Sequence, residues 1–155
     1  MSIRNTITES EKQVVKRFTH REHYLLEVSA YRDFAWAAPR MLLQNDVDLS
    51  IVVERLPTAE QLAWWKPVES LRKLLERLHD FGVNHRDVHV GNIVCDSVRG
   101  PLLIDWEHHT RNVGKVSFDL YGPEASGVSQ PEGQRGIPMW WGAKHKRAVS
   151  VRWSA

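Results

Sequence analysis

Apolar and polar positions first alternate along this chain and then fall into a helical rhythm. Ile3 to Thr8, a polar turn at Glu9 to Lys12, and Gln13 to Phe18 read as a β-hairpin, and the second arm has the β-branched content of a strand. Thr19 and Glu22 fit a capping box, so a helix is expected to start near His20 and to carry Tyr24, Val28 and Tyr31 on its apolar face. Met41 to Leu43 and Leu49 to Glu54 predict two more strands, joined by the turn-forming Gln44-Asn45-Asp46. After Pro57, Thr58 and Gln61 form a second capping-box pattern ahead of a short helix through Trp65. Pro67 suits the start of a longer helix and Gly82 its end. Between them Val68, Leu71, Leu74, Leu75, Leu78 and Phe81 keep helical spacing. Asn92 to Asp96 and Leu102 to Asp105 predict a hairpin around Ser97 to Pro101. Beyond Thr110 the pattern fades, and residues 122–142 read as an extended segment packed by Trp140 and Trp141.

Composition narrows the class. A chain of 155 residues with 42% hydrophobic content can bury a core and is not of disordered type. A net charge of +2 does not by itself imply nucleic acid, and the basic run Lys144 to Arg147 reads as a solvated tail. The lone Cys95 excludes an internal disulfide and suits a reducing compartment. No apolar run is long enough to span a membrane, and the opening M-S-I-R-N-T lacks a signal-peptide core, so a cytoplasmic setting is expected. The eight histidines invite a metal reading, but with one cysteine and no second matched pair a structural zinc site is not expected.

The chemistry-bearing residues cluster in the second half. Residues 85–92 read H-R-D-V-H-V-G-N and residues 102–107 read L-L-I-D-W-E. Phosphoryl transfer needs a carboxylate beside the acceptor hydroxyl and oxygen ligands for Mg²⁺ at the nucleotide phosphates. Asp87, Asn92 and Asp105 supply those groups on a loop and the hairpin that follows it. Asp105 follows the apolar Leu102-Leu103-Ile104, where a carboxylate needs a cation or strong donors. Glu107 either adds a ligand or faces solvent. Strand alternation puts Val14, Lys16 and Phe18 on one face and Arg17 on the other, so Lys16 lies on the inward side. Glu27 sits near the apolar stripe of the first helix and needs a partner; Lys16 is the natural one, with Glu22 the rival carboxylate already assigned to the cap.

This composite resembles the protein-kinase-like family: H-R-D-x-x-x-x-N followed by the aspartate of a D-F-G-type motif. His89 and I-D-W-E look like the small-molecule and sugar kinases of that superfamily, such as aminoglycoside and choline kinases, whereas Arg86 looks like the protein-kinase form. The resemblance implies an α+β, two-lobe fold, with a small antiparallel sheet plus one helix and then a reduced helical lobe with catalytic loop and β-hairpin. It divides a single domain into residues 1–56, 57–110 and a C-terminal segment 111–155. By resemblance, Asp87 orients the acceptor hydroxyl and accepts its proton, and Asn92 and Asp105 carry Mg²⁺. Lys16 holds the ATP phosphates, Glu27 orients Lys16, and Glu54-Arg55-Leu56 forms the hinge whose backbone holds the adenine. His85 supports the loop. Asp119 either supports the catalytic loop or meets substrate, and Gly122-Pro123-Glu124 only faintly resembles A-P-E.

Two functions follow. One is an ATP- and Mg²⁺-dependent phosphotransferase acting on a sugar, small-molecule or protein hydroxyl. The other is a nucleotide-binding or regulatory module with little turnover, with a protein partner that completes it as a further possibility. All nine glycines lie at or beyond Gly82, so the first hairpin has no glycine-rich phosphate loop.

Overall fold

The structure, a computed structural model, describes residues 5–61, 68–111 and 114–130. The chain opens with strands β1 (Thr6–Glu9) and β2 (Gln13–Arg17), then helix α1 (Arg21–Asp33), a 3-10 turn at Ala35–Ala37, and strands β3 (Met41–Asn45) and β4 (Ser50–Glu54). The four strands form an antiparallel sheet in the order β1-β2-β4-β3. Lys16 on β2 sits between Ile7 of β1 and Ile51 of β4, in the centre of the sheet. Helix α1 buries Tyr24, Val28 and Tyr31 as their spacing predicts, and Glu27 lies within the same stripe.

The second half begins with helix α2 (Val68–Asp80), followed by β5 (Val83–Asn84), β6 (Ile93–Asp96), β7 (Gly100–Leu103), β8 (Thr110–Arg111) and helix α3 (Phe118–Ser126). Leu71, Leu75 and Leu78 are buried on one face of α2, while Arg72 pairs with Glu69 and Glu76 on the other. Gly82 ends the helix at φ 77°, a left-handed conformation that favours glycine. β6 and β7 pair as a hairpin, and β5 pairs with β8. One hydrophobic core joins the halves, from Phe18 and Tyr24 through Val28 and Phe34 to Leu75 and Trp106.

Several expectations need correction. The α1 N-cap is His20, one residue later than the Thr19 box requires; it makes no side-chain cap bond, and the Thr19 N–H donates to Asn5 Oδ1. Phe81, expected in the core, is 61% exposed, because the helix has already ended and the ring rests against Trp36. Asp105 does not end a strand: β7 stops at Leu103, and Asp105 takes φ 64°, which aspartate tolerates better than most residues. Residues 123–126 are helical rather than extended. Ser117 caps α3 by accepting the Leu120 N–H, and Gly122 at φ 87° lets two helical pieces join across Pro123 before Gly127 closes them. The Thr58–Gln61 box does form: Gln61 Oε1 accepts the Thr58 N–H and Thr58 Oγ1 accepts the Gln61 N–H, each at 3.0 Å. Its helix through Trp65, the Pro67 start and the packing by Trp140 and Trp141 lie outside the described residues.

Candidate active site

A cavity of about 260 Å³ opens between the sheet and the β6–β7 hairpin. Lys16, Glu27, Glu54, Leu56, Asn92 and Asp105 are among its walls. Lys16 Nζ lies 3.0 Å from the Glu27 carboxylate and 3.0 Å from Asp105 Oδ1. Strand β2 supplies the lysine, helix α1 the glutamate and the turn after β7 the aspartate, so this contact joins three elements that are far apart in sequence. Arg17 points the other way, 57% exposed, toward Asp48, and Glu22 is exposed on α1. Glu27 also accepts the Trp106 N–H at 2.8 Å, which ties α1 to the I-D-W-E segment.

One buried ammonium thus serves two carboxylates. Burial pulls Lys16 toward deprotonation, but Glu27 and then Asp105 outweigh it and hold the ammonium firmly charged. Burial also pushes Glu27 up, to about 7, against the attraction of Lys16. The two shifts pull in opposite senses because Lys16 is shared: the deeper carboxylate bears the desolvation. Asp105 has 32% of its side chain exposed; burial raises it, but Lys16 wins and the net shift is downward.

The loop between β5 and β6 is held by hydrogen bonds. Asp119, fully buried at the start of α3, accepts the His85 N–H at 2.7 Å and the Arg86 N–H at 2.8 Å. Those bonds fix the chain where Arg86 takes φ 75°. His85 accepts the Asp87 N–H on Nδ1 at 3.1 Å, so its Nε2 is the atom that donates to the Ile104 carbonyl at 2.8 Å. Burial pushes His85 down to about 4 and Asp119 up to about 6. The Asn92 amide nitrogen donates to the Asp87 carbonyl at 3.0 Å and to its carboxylate at 3.1 Å. His89 Nε2 lies 3.7 Å from Asp87 Oδ1.

The donor set suits a hard cation. The Asn92 nitrogen is engaged by Asp87, which leaves its side-chain oxygen as the acceptor, and Asn92 and Asp105 line the same cavity. Among the described residues no three His, Cys, Asp or Glu groups form a closed cage. Mg²⁺ takes one or two carboxylates from a protein and completes its shell with phosphates and water, so Asp105 with the Asn92 oxygen would be enough to hold it. Glu107, with 18% of its side chain exposed, accepts from Asn5 Nδ2 at 3.0 Å between His23 and His108.

Sequence reading did not find Arg99, whose guanidinium binds Glu54, nor the direct Lys16–Asp105 contact. Arg99 stands 45 residues from Glu54, and nothing local to either marks the pairing. Asp119 did carry a signal: an acid in the first turn after a capping serine.

The model of the phosphotransferase enzyme family (APH) matches residues 11–120, so the chain belongs to that family. It shares the fold of solved structures of WbdD. One, described as monomeric WbdD, is 22% identical with a TM-score of 0.54 over 70% of this chain and 33% of that one. Another, described as the bifunctional kinase-methyltransferase WbdD, is 24% identical with a TM-score of 0.53 over 69% of this chain and 30% of that one. The chain spans about a third of the length of these solved chains. Comparison with curated proteins gives no match. The fold is protein-kinase-like, and among the described residues no helix is long and apolar enough to cross a membrane.

Proposed function

We propose that the chain transfers the γ-phosphate of ATP to a hydroxyl, in a cytoplasmic setting. The observation that carries this is the convergence of Lys16, Glu27 and Asp105 at 3.0 Å on a cavity that Asn92 also lines, with Asp87 bonded to Asn92 behind it. Lys16, held charged and oriented by Glu27, meets the phosphates. Asp105 and the Asn92 oxygen would hold Mg²⁺, which would neutralise charge developing on the phosphoryl oxygens. Asp87 orients the acceptor hydroxyl and takes its proton. Backbone at Glu54 to Leu56 forms the wall for the adenine. Positioning and charge neutralisation are what this reaction asks of a protein. His89 and I-D-W-E favour a sugar or small-molecule acceptor over a protein hydroxyl.

A second reading has its own observation. Where a glycine-rich loop would cradle phosphates, the β1–β2 turn bonds to itself: the Ser10 N–H donates to the Gln13 carbonyl, and the Gln13 N–H to Ser10 Oγ. Glu9, the last residue of β1 before that turn, lines the cavity. This favours a nucleotide-binding module with little turnover, completed by a protein partner. Incubation with Mg²⁺ and γ-labelled ATP against sugars, aminoglycosides and generic proteins separates the two. Metal-dependent label on an acceptor is the expected result. Mg·ATP binding without any transfer favours the module, and no binding at all overturns both.

A further inference from the structure

The end of β4 is tied to the catalytic hairpin by a charge pair. Glu54 accepts from Arg99, which sits at the tip of the β6–β7 turn. The same carboxylate oxygen accepts the Arg40 N–H at 2.9 Å, while the Glu54 N–H donates to the Arg40 carbonyl at 3.0 Å. Arg99 is itself held: Asp96 Oδ2 accepts the N–H groups of Val98 and Arg99 at 2.9 and 2.6 Å, and Asp96 Oδ1 receives the guanidinium at 3.3 Å. The Arg99 and Glu54 side chains are only 26% and 22% exposed, so this is not a free surface pair.

Just past Glu54 the linker runs alongside β6. Pro57 accepts the Cys95 N–H at 2.9 Å, Thr58 bridges Val94, and Ala59 donates to Ile93 at 2.8 Å. The linker is thereby an added strand of the catalytic hairpin, and Arg99 fastens its upper end. At the other end of that hairpin the Ile104 N–H donates to the Asn92 carbonyl at 3.0 Å, next to Asp105. One hydrogen-bonded unit therefore carries the linker wall of the cavity and the Asn92–Asp105 side.

We propose that Arg99 is a positioning residue of the nucleotide site: by holding Glu54, it sets the spacing between the linker wall at Glu54 to Leu56 and the Asn92–Asp105 side. This rests on the nucleotide reading of the cavity. A linker wall that moves affects the base as well as the phosphates. Arg99→Ala should therefore weaken adenosine and Mg·ATP alike, by about fivefold each, with the loss in KM for ATP and not in kcat. Arg99→Lys, which keeps the charge but not the forked geometry, should recover part of it.

The test is calorimetric titration of adenosine and Mg·ATP into wild type, Arg99→Ala and Arg99→Lys, with hydrogen exchange at the Ala59 and Cys95 amides. Parallel weakening, partial rescue by lysine and faster exchange at both amides are expected. Wild-type affinities in both variants, with exchange unchanged, overturn the latch and leave the nucleotide reading standing. Absence of any nucleotide binding by the wild type overturns the nucleotide reading and the positioning role with it. Should Arg99→Ala not fold, Arg99→Lys decides: unchanged affinity for both ligands overturns the proposal.

Discussion

The site has two halves that bury charge in opposite ways. On the sheet side, Lys16, Glu27 and Asp105 compensate one another directly, and two carboxylates lean on one ammonium. On the loop side, Asp119 is surrounded by backbone N–H groups and His85 stays neutral. An ion cluster can exchange partners when a charged ligand arrives. Backbone bonds to a buried carboxylate hold a fixed shape. On the function proposed above, the sheet side would respond to a nucleotide and the loop side would keep Asp87 and Asn92 still.

The largest expected effect breaks the loop side. Asp87→Asn should lower turnover by about 10²–10⁴-fold while Mg·ATP affinity stays within a few-fold, if the group acts on the acceptor as proposed. Steady-state kinetics with any acceptor that takes label would show it, and unchanged turnover would remove Asp87 from the base role.

Next comes the coupling on the sheet side. Lys16→Met and Glu27→Gln should be non-additive in Mg·ATP affinity by ~0.5–3 kcal/mol, because each variant alone already breaks the cluster. A double-mutant cycle that sums to zero coupling would mean that their contact does not shape the phosphate site.

A pH experiment sharpens the contrast. His85 sits at about 4 in the fold against an ordinary 6.5, so between those values the unfolded chain binds a proton the folded one refuses, and stability rises with pH. Asp119 sits at about 6 against an ordinary 3.8, so the folded chain keeps a proton the unfolded one releases, and its contribution falls with pH. The two oppose each other. Asp119→Asn removes the falling contribution, so stability should climb more steeply from pH 4 to 6, by up to ~1.4 kcal/mol per pH unit. Urea midpoints at pH 4.5 and 6 measure this, and an unchanged slope would place Asp119 in a different environment.

The smallest effect lies outside both halves. Gly82→Ala, at φ 77°, should reduce stability by about 1 kcal/mol without changing nucleotide affinity. An unchanged thermal midpoint would contradict the left-handed cap.

These two halves also differed in how readily they could be foreseen. The loop was legible because its members lie within eight residues, and their spacing carries the geometry. The six longer strands, α1 and α2 were legible from the sequence pattern, whereas the two-residue strands β5 and β8 were too short to leave one. Lys16 was singled out by strand alternation and by the likeness of V-V-K-R-F to the V-A-I-K strand of kinases. Asp105 beside Lys16 was not legible, because 89 residues separate them and only the packed fold brings them together. The same holds for Arg99 and Glu54. Helix α3 was missed for a different reason: Gly122-Pro123 reads as a breaker, and only the surrounding structure shows two short helical turns joined there.

The central claim is that Asp105 faces the metal and phosphates of a bound nucleotide rather than its base. Titration calorimetry of Asp105→Asn with Mg·ATP and with adenosine tests it most directly. The expected result is a loss of Mg·ATP affinity far larger than any change for adenosine. Equal weakening of both ligands would contradict it.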